Sequence, residues 1–144
     1  MGLFDKLKSP KPDEISTPPL TNAKKVLIVE DEKMLGDALE LKFKHEGFIV
    51  LRAENGQVGL DVTQKEHPDI ILLDLMMPVM DGKTMLRLLR DIPEFKTLPV
   101  LVLTNAGDVD NIRETQMYYG ATDFLIKSNV KAEDISNRVK KLLF

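Results

Sequence analysis

The chain has 144 residues, of which 43% are hydrophobic and 30% are charged. This composition is ordinary for a globular domain, and a chain of this length can bury a core without disulfides or a structural metal. The sequence contains no cysteine, which excludes a disulfide framework, a thiolate metal site and a cysteine nucleophile. A formal net charge of −3 disfavours direct binding to nucleic acid, because such binding needs clustered Lys and Arg.

Residues 1–24 differ in composition from the remainder of the chain, and we interpret them as a flexible tail. The stretch is interrupted by four prolines, at positions 10, 12, 18 and 19. Its first residues place Leu3, Phe4 and Leu7 beside lysines. A frayed terminus is the simpler interpretation of this segment, and docking to a partner or a membrane surface is the alternative. No stretch is apolar for long enough to cross a bilayer, so we expect a cytoplasmic protein without a transmembrane segment.

From residue 25 onward, short apolar runs alternate with longer segments of helical period, a pattern that predicts β-α units wound into a parallel sheet. The predicted strands are 26–29, 48–51, 70–73, 100–103 and 122–126. Helices are predicted around 34–43, 58–67, 85–89, 109–119 and 135–143. Right-handed crossovers place such helices on both faces of a sheet. The expected fold class is therefore α/β, a doubly wound, flavodoxin-like five-stranded parallel sheet spanning residues 25–144.

Polar residues stand where four of the apolar runs end: Glu30, Asp31 and Glu32 after the first, Asp74 after the third, Thr104 after the fourth and Lys127 after the fifth. In an open α/β sheet, ligands bind beyond the carboxyl ends of the strands. Carboxylates gathered there repel one another and raise each other's pKa unless a cation lies between them. Mg²⁺ suits such a site, because it takes one or two carboxylates together with waters and phosphate oxygens.

The same residue types are suited to phosphoryl transfer. A carboxylate beside a divalent ion can attack phosphorus and carry an acyl phosphate. A nearby ammonium and hydroxyl compensate the charge on the phosphoryl oxygens. No glycine-rich phosphate loop follows any predicted strand, which disfavours a nucleotide site.

Four stretches of the chain resemble the receiver domain of two-component response regulators, in its stand-alone, chemotaxis-regulator-like form. They are residues 26–32, 69–82, 102–106 and 120–127. The resemblance extends over residues 24–144. It implies that Asp74 is the phospho-acceptor and forms an aspartyl phosphate. It also implies that Asp31, Asp74 and the backbone carbonyl of Met76 ligate Mg²⁺, while Glu30 supports the metal through water.

The resemblance implies further that Thr104 and Lys127 bind the phosphoryl oxygens, and that Thr104 and Phe124 form the conformational switch. Two positions depart from the family pattern. Proline usually follows the lysine, where this chain has Ser128, which leaves open whether the peptide bond between them is cis. The residue after the threonine is usually small, and Asn105 stands there instead. We expect its larger side chain to slow the loss of phosphate.

Single residues also have simpler interpretations. The acidic run 30–32 is typical of a helix N-cap and first turn, and Asp81 with Gly82 is typical of a turn. A helix cap, however, explains neither Asp74 nor Lys127.

The sequence thus predicts a response regulator that signals in a two-component pathway or phosphorelay, rather than an enzyme acting on outside substrates. A sensor histidine kinase or a phosphotransfer protein would phosphorylate Asp74. We expect output through a separate downstream protein, because the chain leaves no room for a fused output domain. The alternative is a receiver-like adaptor that binds regardless of phosphorylation. An aspartyl-phosphate hydrolase is disfavoured, because Met76 stands where such enzymes place a second Asp.

Overall fold

The computed structural model describes residues 22–105, 113 and 120–144. The elements within these ranges are β1 Lys25–Val29, α1 Lys33–His45, β2 Ile49–Ala53, α2 Gly56–Glu66, β3 Ile70–Asp74, α3 Gly82–Arg90, β4 Val100–Thr104, β5 Asp123–Ile126 and α4 Ala132–Leu143. Short 3-10 turns lie at Pro93–Phe95 and Lys127–Asn129. Residues 1–21 of the predicted tail and the helix predicted around 109–119 lie outside the described residues, apart from residue 113.

The five strands form one parallel sheet in the order β2-β1-β3-β4-β5. In its register, Val29 of β1 pairs with Leu73 of β3, and Asp74 of β3 pairs with Leu103 of β4. The carboxyl ends of these central strands are therefore level with one another at a single edge. This arrangement confirms the predicted doubly wound sheet.

Apolar layers cover both faces of the sheet. Helices α2 and α3 pack on one face, and α1 and α4 pack on the other. Strands β1, β3 and β4 are buried on both sides, which explains why their sequences are continuously apolar. Each fully buried Leu, Ile or Val side chain stabilises the fold by roughly 1.5–3 kcal/mol relative to its exposed state. The core thus supports an edge on which polar groups are gathered.

Strand β2 was predicted over residues 48–51. In the structure it runs from Ile49 to Ala53 and includes Arg52. Among the strands of the described residues it stands at the edge and pairs with β1 alone, so it needs no continuous apolar run. The Arg52 guanidinium lies 3.1 Å from an Asp37 carboxylate oxygen and 2.8 Å from a Glu40 oxygen, both on α1. An apolar pattern cannot reveal such a pairing, which depends on the fold.

Gly82 lets the connection from β3 to α3 pack closely against the end of β3. A Cβ at this position would lie 2.3 Å from the Asp74 carbonyl oxygen. The Gly82 N–H donates a hydrogen bond of 2.9 Å to the Leu75 carbonyl. The preceding Asp81 caps α3, because its side chain accepts a hydrogen bond of 2.8 Å from the Thr84 N–H. The predicted turn at these two residues is therefore the beginning of a helix, and it fixes the end of β3.

We expect Gly82→Ala to destabilise the protein by about 2–3 kcal/mol, because the added methyl group meets rigid backbone. Gly47→Ala is the matched control, since Gly47 has a φ of +92° and open space around it. Backbone strain alone gives that variant a cost of about 1–2 kcal/mol. Urea denaturation measures both changes. A Gly82→Ala variant no less stable than Gly47→Ala would contradict this interpretation of the loop.

Candidate functional site

Four of the predicted site residues lie together at the carboxyl edge of the sheet. Asp74 and Thr104 are the last residues of β3 and β4. Glu30 follows β1, and Lys127 follows β5. Glu30, Asp74 and Thr104 are each less than 5% exposed, although all three are polar. Parallel strands with level ends bring these residues together from distant parts of the chain.

The Lys127 ammonium lies among three carboxylates. Its Nζ is 2.7 Å from Glu30 Oε1, 3.1 Å from Asp74 Oδ2 and 3.8 Å from Glu32 Oε1. The side chains of Lys127, Glu30 and Asp74 are no more than 10% exposed. Buried charges of this kind are tolerated only when they are paired, so each of these groups depends on the others.

Burial and the neighbouring charges change the ionisation of this cluster. Burial, assisted by the neighbouring Asp74 carboxylate and opposed by Lys127, raises the pKa of Glu30 to about 7. Burial also raises the pKa of Asp74, against the attraction of Lys127. Burial alone would lower the pKa of Lys127, but its hydrogen bond to Glu30 and the charge of Asp74 outweigh burial and raise it. The lysine therefore remains charged, while the carboxylates bind protons more readily than usual.

Backbone groups orient the two buried carboxylates. The Glu32 N–H donates to Glu30 Oε2 at 3.1 Å, and the Met76 N–H donates to Asp74 Oδ1 at 3.3 Å. The acidic run does not cap α1 in the way its sequence suggests. The N-cap residue is Glu32, its side chain makes no capping hydrogen bond, and the first turn contains no acidic residue.

The acidic residues fit a hard divalent cation. Glu30, Asp31 and Asp74 each offer a carboxylate oxygen, and these oxygens lie within 4.8 Å of one another. Oxygen ligands are those that Mg²⁺ prefers, and the exposed Asp31 leaves one side of the group open to water or phosphate oxygens. The assignment of the Met76 carbonyl as a further ligand stays a prediction.

The expected switch residues occupy adjacent strands. Thr104 ends β4 and is buried, while Phe124 on β5 pairs in register with Val102 of β4 and is half-buried. Phe124 packs against the core layer formed with α2 and α3. All peptide bonds in the described residues, including the one between Lys127 and Ser128, are trans.

Sequence reasoning did not assign roles to two residues that shape the site. Glu32 was grouped with the acidic run, and its contact with Lys127 appears only once the fold brings the ends of β1 and β5 to the same edge of the sheet. Gly82 was interpreted as part of a turn. The Asp-Gly pair that follows β3 in the sequence was nevertheless a signal that the backbone at Gly82 comes close to Asp74.

Residues 26–140 match the family model described as the response regulator receiver domain. The chain belongs to this family. Sporulation initiation phosphotransferase F of Bacillus subtilis is 34% identical over 119 residues, which cover 83% of this chain and 93% of that protein. The probable transcriptional regulator ycf27 of Cyanophora paradoxa is 34% identical over 122 residues, which cover 85% of this chain and 49% of that protein. The chain thus spans about half the length of the ycf27 regulators that it matches.

Solved structures share the receiver fold. The chemotaxis response regulator CheY4 of Vibrio cholerae aligns with a TM-score of 0.78 and 28% identity, covering 85% of this chain and all of that chain (100%). The signal receiver domain of a signal transduction histidine kinase from Syntrophus aciditrophicus aligns with a TM-score of 0.76 and 31% identity, covering 84% and 90%. The predicted family and fold are confirmed. Every helix in the described ranges is too short or too polar to span a membrane.

The raised pKa of Glu30 predicts a pH-dependent stability. Its folded-state value of about 7 exceeds the ordinary 4.5, so the folded protein binds this proton more tightly than the unfolded chain does. Stability therefore falls as the pH rises from 4.5 to 7. We expect Glu30→Gln to remove this loss and to raise the Tm in EDTA by about 4 °C at pH 8, but by less at pH 4.5. Thermal unfolding followed by circular dichroism measures the difference.

The control for this prediction is Glu133→Gln, which neutralises an exposed glutamate in the first turn of α4. Its Tm difference from the wild type should not change with pH in the same way. A Glu30→Gln effect of equal size at both pH values would contradict the proposed cost of ionising Glu30.

Proposed function

We propose that this chain is a phosphorylation switch of the cytoplasm. Asp74 accepts a phosphoryl group from a histidine kinase or a phosphotransfer protein, with Mg²⁺, and the modified domain changes its binding to a separate protein. The observation that carries the proposal is the pairing of the buried Lys127 ammonium with Glu30 and Asp74. Apolar residues of similar volume would stabilise a purely structural protein at least as well, so the cluster calls for a chemical role.

In the proposed transfer, a carboxylate oxygen of Asp74 attacks phosphorus. The bond between phosphorus and the donor's histidine nitrogen breaks, and its electron pair leaves with that nitrogen. The products are an aspartyl phosphate and a neutral imidazole, whose other ring nitrogen carries the proton throughout. Lys127, 3.1 Å from the attacking carboxylate, is placed to compensate charge on the transferred oxygens, and the Thr104 hydroxyl is the proposed hydrogen-bond donor to them.

The acidic residues hold the proposed metal. Asp31, Asp74 and the Met76 carbonyl are its proposed ligands, and Glu30 is their support through water. A bound Mg²⁺ supplies additional positive charge next to the phosphoryl oxygens. Between transfers, the Lys127 ammonium serves as the counter-ion that keeps Glu30 and Asp74 close together.

The proposed output is a shift between two conformations, in which Thr104 moves toward the phosphoryl group and Phe124 becomes more buried. Phosphorylation shifts this equilibrium only as far as the two states differ in their affinity for the modified site. The B. subtilis relative is named a phosphotransferase, which supports a place for this chain in a phosphorelay. The relatives' names do not identify the protein that the modified domain binds.

We expect acetyl phosphate with Mg²⁺ to add one phosphoryl group to the protein, and Asp74→Asn to abolish the addition. Intact mass spectrometry with and without EDTA measures it. Asp61→Asn, which changes an exposed carboxylate on α2, is the control and should label like the wild type. If the wild type does not label while another receiver domain does under the same conditions, the phosphorylation-independent adaptor becomes the better explanation.

Asn105 is exposed immediately beyond Thr104, at the rim of the proposed site. We expect Asn105→Ala to hasten loss of the phosphoryl group about twofold to fivefold, because a smaller side chain admits the attacking water more easily. Decay of the labelled mass after removal of the phosphodonor measures this rate. Asn137→Ala, an exposed position on α4, is the control. An unchanged decay rate in Asn105→Ala would refute the obstruction.

A further inference from the structure

Glu32 provides Lys127 with a third carboxylate that differs from the other two in its exposure. Its side chain is 64% exposed, whereas those of Glu30 and Asp74 are 1% and 5% exposed. Glu32 Oε1 lies 3.8 Å from the ammonium. Of the carboxylates around Lys127 in the described part of the chain, Glu32 is therefore the one that faces solvent, and it marks the mouth of the site.

The local fold does not require a carboxylate at this position. Glu32 is the N-cap residue of α1, but its side chain makes no capping hydrogen bond. Its N–H, rather than its side chain, holds Glu30. The group of carboxylates able to share a metal comprises Glu30, Asp31 and Asp74, without Glu32. The charge of Glu32 thus remains unexplained by capping or by the proposed metal.

We propose that Glu32 is a specificity-determining residue that selects against small dianionic phosphodonors. This inference rests on the proposed function. A phosphodonor that reaches Asp74 and Lys127 has to approach the solvent-facing side, where the Glu32 carboxylate repels it and competes with it for the ammonium. A protein donor brings its own surface groups to the mouth of the site and can offset this repulsion. Glu32 thereby favours phosphorylation by a protein over phosphorylation by free metabolites.

The expected effect depends on the charge of the donor. Two unit charges about 6 Å apart in water-like surroundings change a rate by about threefold. Removing Glu32 should therefore accelerate reaction with a monoanion about threefold and with a dianion about tenfold. Salt screens an exposed charge, so high ionic strength should reduce both changes. A change that merely loosened the fold would not depend on the donor's charge.

The test compares phosphorylation rates of the wild type and Glu32→Gln with two donors at saturating Mg²⁺ and neutral pH. Acetyl phosphate is a dianion that releases acetate, and phosphoramidate is a monoanion that releases ammonia from its protonated amino group. Intact mass follows both reactions, at low salt and in 1 M KCl. We expect the ratio of the acetyl phosphate rate to the phosphoramidate rate to rise about threefold at low salt, and to return toward the wild-type ratio in KCl.

Glu94→Gln is the matched control. It removes the same charge from an exposed residue that precedes β4 and contacts His67, which precedes β3, so it lies toward the opposite edge of the sheet from Lys127. Its donor ratio should stay at the wild-type value. An unchanged ratio in Glu32→Gln, or an equal rise in Glu94→Gln, overturns the role of Glu32 while leaving phosphorylation of Asp74 intact. A wild-type protein that labels with neither donor overturns the proposed function, and this inference with it.

Discussion

The carboxyl edge of the sheet depends on one ammonium group buried between two carboxylates. Lys127 lies within 3.1 Å of both Glu30 and Asp74, and all three side chains are almost inaccessible to water. Burial raises the pKa of each carboxylate, and the neighbouring Lys127 opposes that rise. The lysine is in turn kept charged by them. Each partner comes from a different strand end, so the interaction exists only when the strand ends β1, β3 and β5 are placed correctly.

The rest of the fold serves to hold those strand ends in place. The burial of apolar side chains on strands β1, β3 and β4 offsets the cost of gathering polar groups at one edge. Gly82 lets the β3–α3 connection return against Asp74, and Gly56 allows a second close approach to the Met80 carbonyl, 2.7 Å from where a Cβ would lie. These contacts join backbone to backbone and leave little freedom for the residue that ends β3. The position of Asp74 is therefore set by the backbone packing around it.

Membership of the receiver family is compatible with several kinds of signalling connection. The relatives include a phosphotransferase of similar length and transcriptional regulators about twice as long. The buried cluster lies inside the site, whereas the proposed selection of the phosphodonor takes place at its rim. Glu32 and Asn105 are exposed residues at that rim. An exposed charge acts at longer range on an approaching anion than a neutral group does, which is why the proposed donor selection rests on Glu32.

The sequence by itself determined the sheet, its strands and the convergence of Glu30, Asp74, Thr104 and Lys127. Continuous apolar runs predict buried parallel strands, and parallel strands end at a common edge. The bounds of β2 were missed, because a charged Arg52 interrupts the apolar run. Its pairing with carboxylates of α1 cannot be seen in the sequence of the strand. The cap formed by Asp81, the close approach of Gly82 and the contact of Glu32 with Lys127 were also decided by the tertiary structure. Periodicity specifies which face a residue occupies, whereas distances between side chains and the pKa shifts they cause depend on groups brought together from separate elements.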